Sequence, residues 1–393
     1  MILPDYRSGS IVNLMQSIRA AHGDGAEPGS PYGPLALLPP ETIARFDKIV
    51  LLVIDGLGYE YLREVAPNGA LAAHLRGSMT SVFPSTTASA ITTFLTGSAP
   101  LQHAMTGWFM WLEEIGEIVA PLPFTSRMER CSLTERGLDP AALFDSPPLL
   151  DRLAMETWVV QRADISDSHY TRAHCGRATT LGYKSMPGMF QALREVVLAR
   201  ERCFVYAYWP ELDAVSHKVG ASARRTRKHL RMLDACFAEW LRSIAGSGTL
   251  VLVSADHGFV DTSEDTRIYL RDHPELAETL TRPLCGEQRV AYCYVDPARR
   301  DDFERYVSAT LADVCEAVPA AALLSEGYLG LGDAHPRLAG RIGDYVLVMR
   351  DNFVIRDHLP WEQRSHDHVG VHGGVSAAEM HVPLVVAEPP RAS

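Results

Sequence analysis

The chain has 393 residues, 47% of them apolar and 22% charged, with 29 Gly and 25 Pro. These values are those of a globular protein, exclude disordered, collagen-like and coiled-coil classes, and the length suits about two or three domains around a large core. Against 37 basic residues stand 48 acidic ones, and the net charge of −11 argues against a nucleic-acid polymer as partner, since such binders draw on counterion release.

The longest wholly aliphatic run, residues 49–54, falls far short of the ~20 residues of a membrane helix. The opening MILPDYRSGSIVNLMQSIRA shows no secretory apolar segment. Seven cysteines without a C-x-x-C pair signal neither a disulfide framework nor a thiolate zinc site. The expectation is a cytoplasmic protein with no membrane association.

In chain order, residues 21–40 (AHGDGAEPGSPYGPLALLPP) read as an irregular lead-in. KIVLLVI (48–54) reads as a buried strand and SMTSVFP (78–84) is strand-like; residues 85–97 place Ala88, Ile91, Phe94 and Leu95 at helical spacing. Helix-period segments at 141–153, 189–200 and 221–244 then alternate with strand-like runs at 158–160, 203–208 and 250–253, and HVPLVVA (381–387) supplies a late strand. This alternation predicts an α/β fold with a largely parallel central sheet flanked by helices. The basic run Arg224, Arg225, Arg227, Lys228, His229 and Arg231 reads as a solvated helix face. From 261 to about 363 the texture changes, with strand-like RVAYCYVD (289–296) and DYVLVMRD (344–351) around a helix-like DDFERYVSATLADV (301–314). The expected organisation is a core of residues 1–262 and 363–393 interrupted by a small α+β cap at 263–362.

Three aspartates stand just past the carboxyl ends of apolar strands, where open α/β sheets place functional groups: Asp55 after KIVLLVI, Asp213 after CFVYAYWPEL and Asp256 after TLVLVSA. Each alone is an ordinary turn former or helix cap. But His257 follows Asp256 directly, His217 lies one helical turn beyond Asp213, and His372 sits in HDHVGVHGG. Carboxylates and imidazoles without thiolate suit catalytic first-row divalent metals rather than a closed structural zinc site. Six donors divide into two open sites, and two metals ~3.5–4 Å apart can clamp both oxygens of a phosphoryl displacement. Ser85, Thr86 and Thr87 stand where the helix at 85–97 begins, a place whose open amides and macrodipole favour a phosphate and a developing alkoxide. Any of the three serves as a cap; beside six metal donors, a hydroxyl there reads as a metal-activated nucleophile.

Asp55-Gly56, FPSTT with a helix ending in Thr96-Gly97, PELDAVSH (210–217), SADHG (254–258) and VHGG (371–374) follow one another in an order that resembles the type I phosphodiesterase and nucleotide pyrophosphatase branch of the alkaline phosphatase superfamily. The resemblance spans residues 48–387 and matches the insertion only in position. It implies an alkaline-phosphatase-like core that cleaves phosphodiester or pyrophosphate bonds of a small phosphorylated substrate through a phosphothreonine on Thr87, with Thr86 as the fallback. It also implies two divalent ions, and the even mix of carboxylate and imidazole donors puts zinc first and manganese or iron next. Asp55, Asp256 and His257 would hold one, with Thr87 bridging to it, and Asp213, His217 and His372 the other, His366 and His368 being substitutes for His372.

Two residues depart from the family pattern. Ala88 stands where nucleotide-hydrolysing members stack the base on an aromatic ring. Near Trp108 the phosphate-binding Asn is missing, leaving the Trp108 indole, Thr106 or a backbone amide to replace it. Trp108, Phe109, Met110 and Trp111 offer apolar contact to a second ester substituent. Phosphonoacetate-type hydrolases share the Thr and the two metals but cleave a C–P bond. Sulfatases require a C/S-x-P-x-R segment that STTAS lacks, and mutases use a Ser nucleophile with a large insertion. From a different class comes a non-catalytic metal-bound binding protein, which the complete ligand set disfavours.

Overall fold

The computed structural model describes residues 1–24, 30–362 and 367–391. Helix α1 (Ile11–His22) precedes β1 (Lys48–Ile54), β2 (Leu75–Thr80) and α2 (Thr87–Thr96). There follow β3 (Glu156–Arg162), β4 (Thr179–Tyr183), α3 (Met186–Ala199), β5 (Cys203–Trp209), α4 (Glu211–Val219), α5 (Arg224–Ser243) and β6 (Thr249–Ser254). After β7 (Cys285–Gly286), β8 (Val290–Cys293), β9 (Cys315–Pro319) and β10 (Tyr345–Met349), the chain returns in β11 (His381–Ala387).

Seven strands form the central sheet in the order β2-β11-β6-β1-β5-β3-β4. From β6 to β4 all neighbours are parallel, and only β11 runs antiparallel to both of its partners. The parallel strands are covered on both faces: every residue of β5 and β6, and all of β1 except Lys48, is buried. Two-sided burial is why these segments read as continuous apolar runs rather than as alternation.

The helix expected at 141–153 does not form as one piece. A single turn, Pro140–Leu143, and a 3-10 turn, Leu149–Arg152, take its place. Pro147 and Pro148 lie between them; they lack amide donors and bias the residue before each away from helical backbone. The basic run at the start of α5 is indeed surface: Arg224, Arg225 and Lys228 are exposed, and Arg227 pairs with Glu64. Among the described residues no helix is long and apolar enough to cross a membrane.

Residues 263–362 contribute a second, antiparallel sheet in the order β7-β8-β10-β9. One apolar cluster, around Phe303, Leu347 and Ile355, is built wholly from this segment. Another joins Tyr292, Leu329 and Val346 to Phe83, Leu101 and Ile118, so the second sheet is packed against the rest of the molecule. A buried ion pair pins the same contact. Arg289 donates to Glu379 through Nε at 3.0 Å and through an Nη at 2.9 Å, and both side chains are almost wholly removed from solvent. Glu379 also accepts from the Gly374 amide at 2.8 Å. Removing one partner strands the other charge, so Arg289→Met should lower stability by about 3–5 kcal/mol in denaturant unfolding. A loss below about 1 kcal/mol, the range of surface pairs, would show that the pair does not carry this contact.

Candidate metal centre

Strands β6, β1 and β5 are neighbours, so the residues just past their carboxyl ends share one edge of the sheet. Asp55 follows β1 directly, Asp256 stands just past β6, and Asp213 lies in the first turn of α4, which opens as soon as β5 ends. One turn further along α4, His217 brings its Nε2 to 3.2 Å from Asp213 Oδ1. His257 Nε2 is 3.4 Å from Asp55 Oδ1 and 3.3 Å from Asp256 Oδ2. His372 arrives from the far end of the chain, on a short ladder pairing Val260–Asp261 with Gly370–Val371. Its ring stacks on His257 with centroids 3.6 Å apart, and its Nε2 is 3.8 Å from Asp213 Oδ1. Two sets of donors each gather within 4.8 Å: Asp213, His217 and His372, and Asp55, Asp213 and His257. Asp213 belongs to both, and Asp256 adjoins the second through His257.

Hydrogen bonds on the outer side of each group decide which atoms face inward. Nδ1 of His257, His217 and His372 lies 3.0, 2.8 and 3.3 Å from the carbonyl oxygens of Gly258, Gly370 and Ser85. A carbonyl only accepts, so each Nδ1 carries the proton and each Nε2 turns a lone pair into the site. The carboxylates are divided in the same way. Asp55 Oδ2 accepts from the Tyr208 hydroxyl, and Asp256 Oδ1 accepts from the Gly56 and His257 amides, each at 3.0 Å. Asp55 Oδ1, Asp256 Oδ2 and Asp213 Oδ1 are left buried with no hydrogen-bond partner among the described residues. Buried carboxylate oxygens without donors are costly unless cations take them. Open carboxylate oxygens interleaved with imidazole lone pairs therefore fit divalent metal ions, and the two sets fit a pair of them.

The electrostatics agree. Burial, reinforced by Asp256 and Asp213, holds Asp55 well above the usual carboxylate range. Asp213 is buried too, but the imidazole of His217 outweighs this and holds it below its ordinary value. Against its own burial, His217 is raised by Asp213, so a metal there displaces a proton. Burial and the neighbouring His257 and His217 push His372 well below the imidazole range, which leaves it neutral and able to ligate.

Thr87, the first residue of α2, places Oγ1 3.2 Å from His257 Nε2. Thr86 has the backbone conformation of an N-cap but makes no capping bond; its hydroxyl donates to Glu287 at 2.6 Å instead. The first-turn amides of α2 are thus left without a side-chain cap. Both threonines line a cavity of about 500 Å³ whose opposite wall comes from residues 284–288 and 355–358.

The sequence model of the type I phosphodiesterase / nucleotide pyrophosphatase family matches residues 49–375. The chain belongs to this family. No curated protein matches it. Among solved structures, human ectonucleotide pyrophosphatase / phosphodiesterase 5 is 16% identical with a TM-score of 0.64, over 87% of this chain and 88% of that one. The murine protein of the same name, solved inactive and in complex with AMP, is 17% identical with a TM-score of 0.63 over the same shares. Phosphonoacetate hydrolase from Sinorhizobium meliloti 1021, in complex with phosphonoacetate, is 18% identical with a TM-score of 0.56, over 88% and 92%. The shared fold is the α/β core of the alkaline phosphatase superfamily. Family and donor sets together make the protein a metal-dependent hydrolase of the phosphodiesterase type.

Ser85 is fully buried and donates to the Gly374 carbonyl, which removes it from the hydroxyls that face the cavity. Thr106 is fully buried with its hydroxyl turned to the Arg341 carbonyl, and the Trp108 amide donates to Glu287 at 2.7 Å. The Trp108 indole, another of the groups considered for the missing Asn, belongs to a residue that lines the cavity and is 43% exposed. Phe109 lines it as well, with the Arg127 guanidinium 4.1 Å above its ring. Met110 is buried in the main core and Trp111 packs under Arg282, so neither supplies the apolar contact expected of it. His368 lines the cavity with its ring 4.2 Å from that of His217 but belongs to neither donor set. His366 lies outside the described residues. Cys285 also lines the cavity, and burial pushes its thiol up to about 12, which disqualifies it as a rival nucleophile.

Sequence reasoning missed Tyr208, Glu287 and Glu379. Tyr208 carried a usable signal, since the last residues of a parallel strand border the site. Glu287 lies in a segment with no spacing relation to any motif, and Glu379, though only five residues past Gly374 of VHGG, has a buried partner, Arg289, in the second sheet.

Three convergent carboxylates repel one another when no metal is bound. In the presence of chelator, Asp55→Asn should therefore be more stable to heat than the parent, because its amide can donate where Oδ1 faces Asp256 and Asp213. Added zinc should raise the parent's Tm in a concentration-dependent way and the variant's much less. A metal-free variant less stable than the metal-free parent would contradict the reading of these oxygens as open and repelling.

Proposed function

We propose that the protein is a two-metal phosphodiesterase that acts on a small phosphorylated substrate and passes through a phosphothreonine on Thr87. The observation that carries this is the position of the Thr87 hydroxyl at a helix N-terminus, 3.2 Å from His257 Nε2 and beside the three open carboxylate oxygens. Asp55, Asp256 and His257 with Thr87 would hold one divalent ion; Asp213, His217 and His372 would hold the other. Zinc suits this even mix of carboxylate and imidazole best, then manganese or iron. Bound there, such ions supply Lewis-acid polarisation of a phosphoryl oxygen and lower the pKa of a hydroxyl or water.

The chain's own groups then account for the rest. The uncapped amides of the first turn of α2 receive the phosphoryl oxygens. Thr87 Oγ1 forms the new P–O bond as the ester alcohol leaves, and water later displaces the phosphoryl group from Thr87. The carbonyls behind the three imidazoles keep them oriented with Nε2 toward the site. We take residues 1–262 and 363–393 as the catalytic core and 263–362 as a cap, since residues of that segment supply one wall of the cavity. We place the protein in the reducing cytoplasm, where its seven unpaired cysteines remain thiols.

The cavity favours a diester over a monoester or a phosphonoacetate. Of its two guanidiniums, Arg127 is paired with Glu362 and Arg356 with Asp367. A second phosphate charge, or a substrate carboxylate, would find both cations engaged and would face Glu287. With Ala88 after the nucleophile, a stacking contact of ~1–3 kcal/mol is also missing, so discrimination between nucleobases should be slight.

Thr87→Ala should abolish nearly all hydrolysis of bis-p-nitrophenyl phosphate with metal content kept, and Thr86→Ala should be far milder; the reverse order in kcat moves the nucleophile by one residue. In kcat/KM, bis-p-nitrophenyl phosphate should exceed p-nitrophenyl phosphate and phosphonoacetate. A tenfold advantage for the monoester, or for the phosphonate, would falsify the diesterase reading.

A further inference from the structure

One hydroxyl at the start of the nucleophile helix is turned away from the amides its position would have it bind. Thr86 stands at the N-cap of α2 with extended backbone, φ −139 and ψ 152, and its carbonyl already accepts from the Ala90 amide at 2.9 Å. A threonine oxygen there ordinarily accepts from an amide of the first turn. Ser185, at the N-cap of α3 with nearly the same angles, φ −155 and ψ 163, does so: its Oγ accepts from the Gly188 amide at 3.3 Å. Thr86 Oγ1 makes no such bond and donates to Glu287 Oε1 at 2.6 Å. The amides of Thr87, Ala88 and Ser89 therefore carry no hydrogen bond among the described residues.

Glu287 is built into the fold as a fixed acceptor. It sits in the turn between β7 and β8, where its own amide donates to the Val290 carbonyl at 2.8 Å. The preceding Gly286 exchanges both backbone hydrogen bonds with Phe109, which ties the turn to the segment that carries Trp108. Glu287 Oε1 also accepts from the Trp108 amide at 2.7 Å, and the bonds from Thr86 and Trp108 are the side chain's only ones among the described residues. Burial pushes the carboxyl up to about 7 and these two bonds oppose it, so they are what stabilises the anion. On its other side packs Gly373, φ +110, where a Cβ would lie 2.9 Å from the Glu287 Cβ.

The open end of α2 is marked as a ligand site by a second observation. Asp55 Oδ1 and Asp256 Oδ2, buried and without hydrogen-bond partners, lie 3.4 and 3.3 Å from His257 Nε2, which is itself 3.2 Å from Thr87 Oγ1. We propose that Glu287 is a positioning residue that draws the Thr86 hydroxyl out of the capping position and so keeps the first-turn amides of α2 open to phosphoryl oxygens, an assignment that rests on the phosphoryl-transfer reading above. A side-chain cap and a phosphoryl oxygen compete for the same amides. Without Glu287 the hydroxyl turns back onto its helix, as that of Ser185 does, and the substrate has to displace it. The empty helix forgoes its cap and gains those hydrogen bonds only when a phosphoryl group arrives. Because the acceptor comes from the second sheet, that sheet prepares the phosphate seat of the core without touching phosphate itself.

The test is a double-mutant cycle read in the affinity of the zinc-loaded protein for orthovanadate, measured by calorimetry. Glu287→Gln removes the charge but keeps an Oε1 that accepts from Thr86, whereas Glu287→Met removes the acceptor and keeps the bulk. Both lose the same negative charge, so comparing them cancels its repulsion of the anion. The Met variant should bind orthovanadate about fivefold more weakly than the Gln variant, the factor expected of an ordinary side-chain cap. On a Thr86→Val background, which has no hydroxyl to turn back, the two should agree within about twofold. Glu287→Ala in place of Glu287→Met repeats the comparison, so the outcome does not depend on one variant folding. Equal affinities with Thr86 present overturn the positioning role. So does a difference that persists unchanged in Thr86→Val, since it then arises at the Trp108 amide or from general loosening. Hydrolysis of bis-p-nitrophenyl phosphate by the parent keeps the two readings apart. Turnover without the expected difference overturns the positioning role alone, and the expected difference without turnover overturns the diesterase reading alone.

Discussion

Three carboxylates that the fold will not let apart govern this molecule. Two unit charges 4 Å apart near a protein surface interact by about 4 kcal/mol, so Asp55, Asp213 and Asp256 with their open oxygens turned inward are a standing cost. Divalent cations bound between them would offset that cost. The neighbouring groups all serve this arrangement. Tyr208 and the amides of Gly56 and His257 each hold the outer oxygen of a carboxylate, which fixes the inner one. The three imidazoles interleave with them as ligand groups, oriented by backbone carbonyls.

Distant parts of the chain must meet for this to happen, and the fold supplies the closure in layers. Adjacent parallel strands bring Asp55, Asp213 and Asp256 to one edge, and two-sided burial of β1, β5 and β6 keeps that edge in register. His372 comes from beyond residue 367 and is held by the ladder with Val260 and Asp261. Glu379 ties the two histidine segments together. Its carboxylate accepts from the Gly374 amide, and its carbonyl accepts from the Gly258 amide at 2.8 Å. Gly258 has no alternative: a Cβ there would lie 2.0 Å from the Ala378 carbonyl oxygen. The same carboxylate receives Arg289 from the second sheet, so the wall that carries Glu287 is locked to the loop that carries His372.

What the sequence made legible is what local chemistry determines. Continuous apolar runs marked β1, β5, β6 and β11, and an Asp past a strand end with a His one turn or one residue away marked most of the donors. The 3.2 Å approach of His217 to Asp213 follows from helical spacing alone. The broken helix at 141–153 was legible too, had Pro147 and Pro148 been weighed against the apolar period. Glu287, Glu379 and the fates of Thr106, Met110 and Trp111 were not. Each depends on a contact across ninety or more residues of chain or on which face of a short strand meets the second sheet. A one-residue shift of register reverses such faces, and nothing in the local composition around these residues carries that information.

The most direct test of the central claim is anomalous scattering from crystals of the zinc-loaded protein. Two peaks are expected, one within about 2.0–2.2 Å of donor atoms from Asp213, His217 and His372, the other at the same range from Asp55, Asp256 and His257. A single peak, or peaks that leave the open oxygens of Asp55, Asp213 and Asp256 without a metal, would contradict the account.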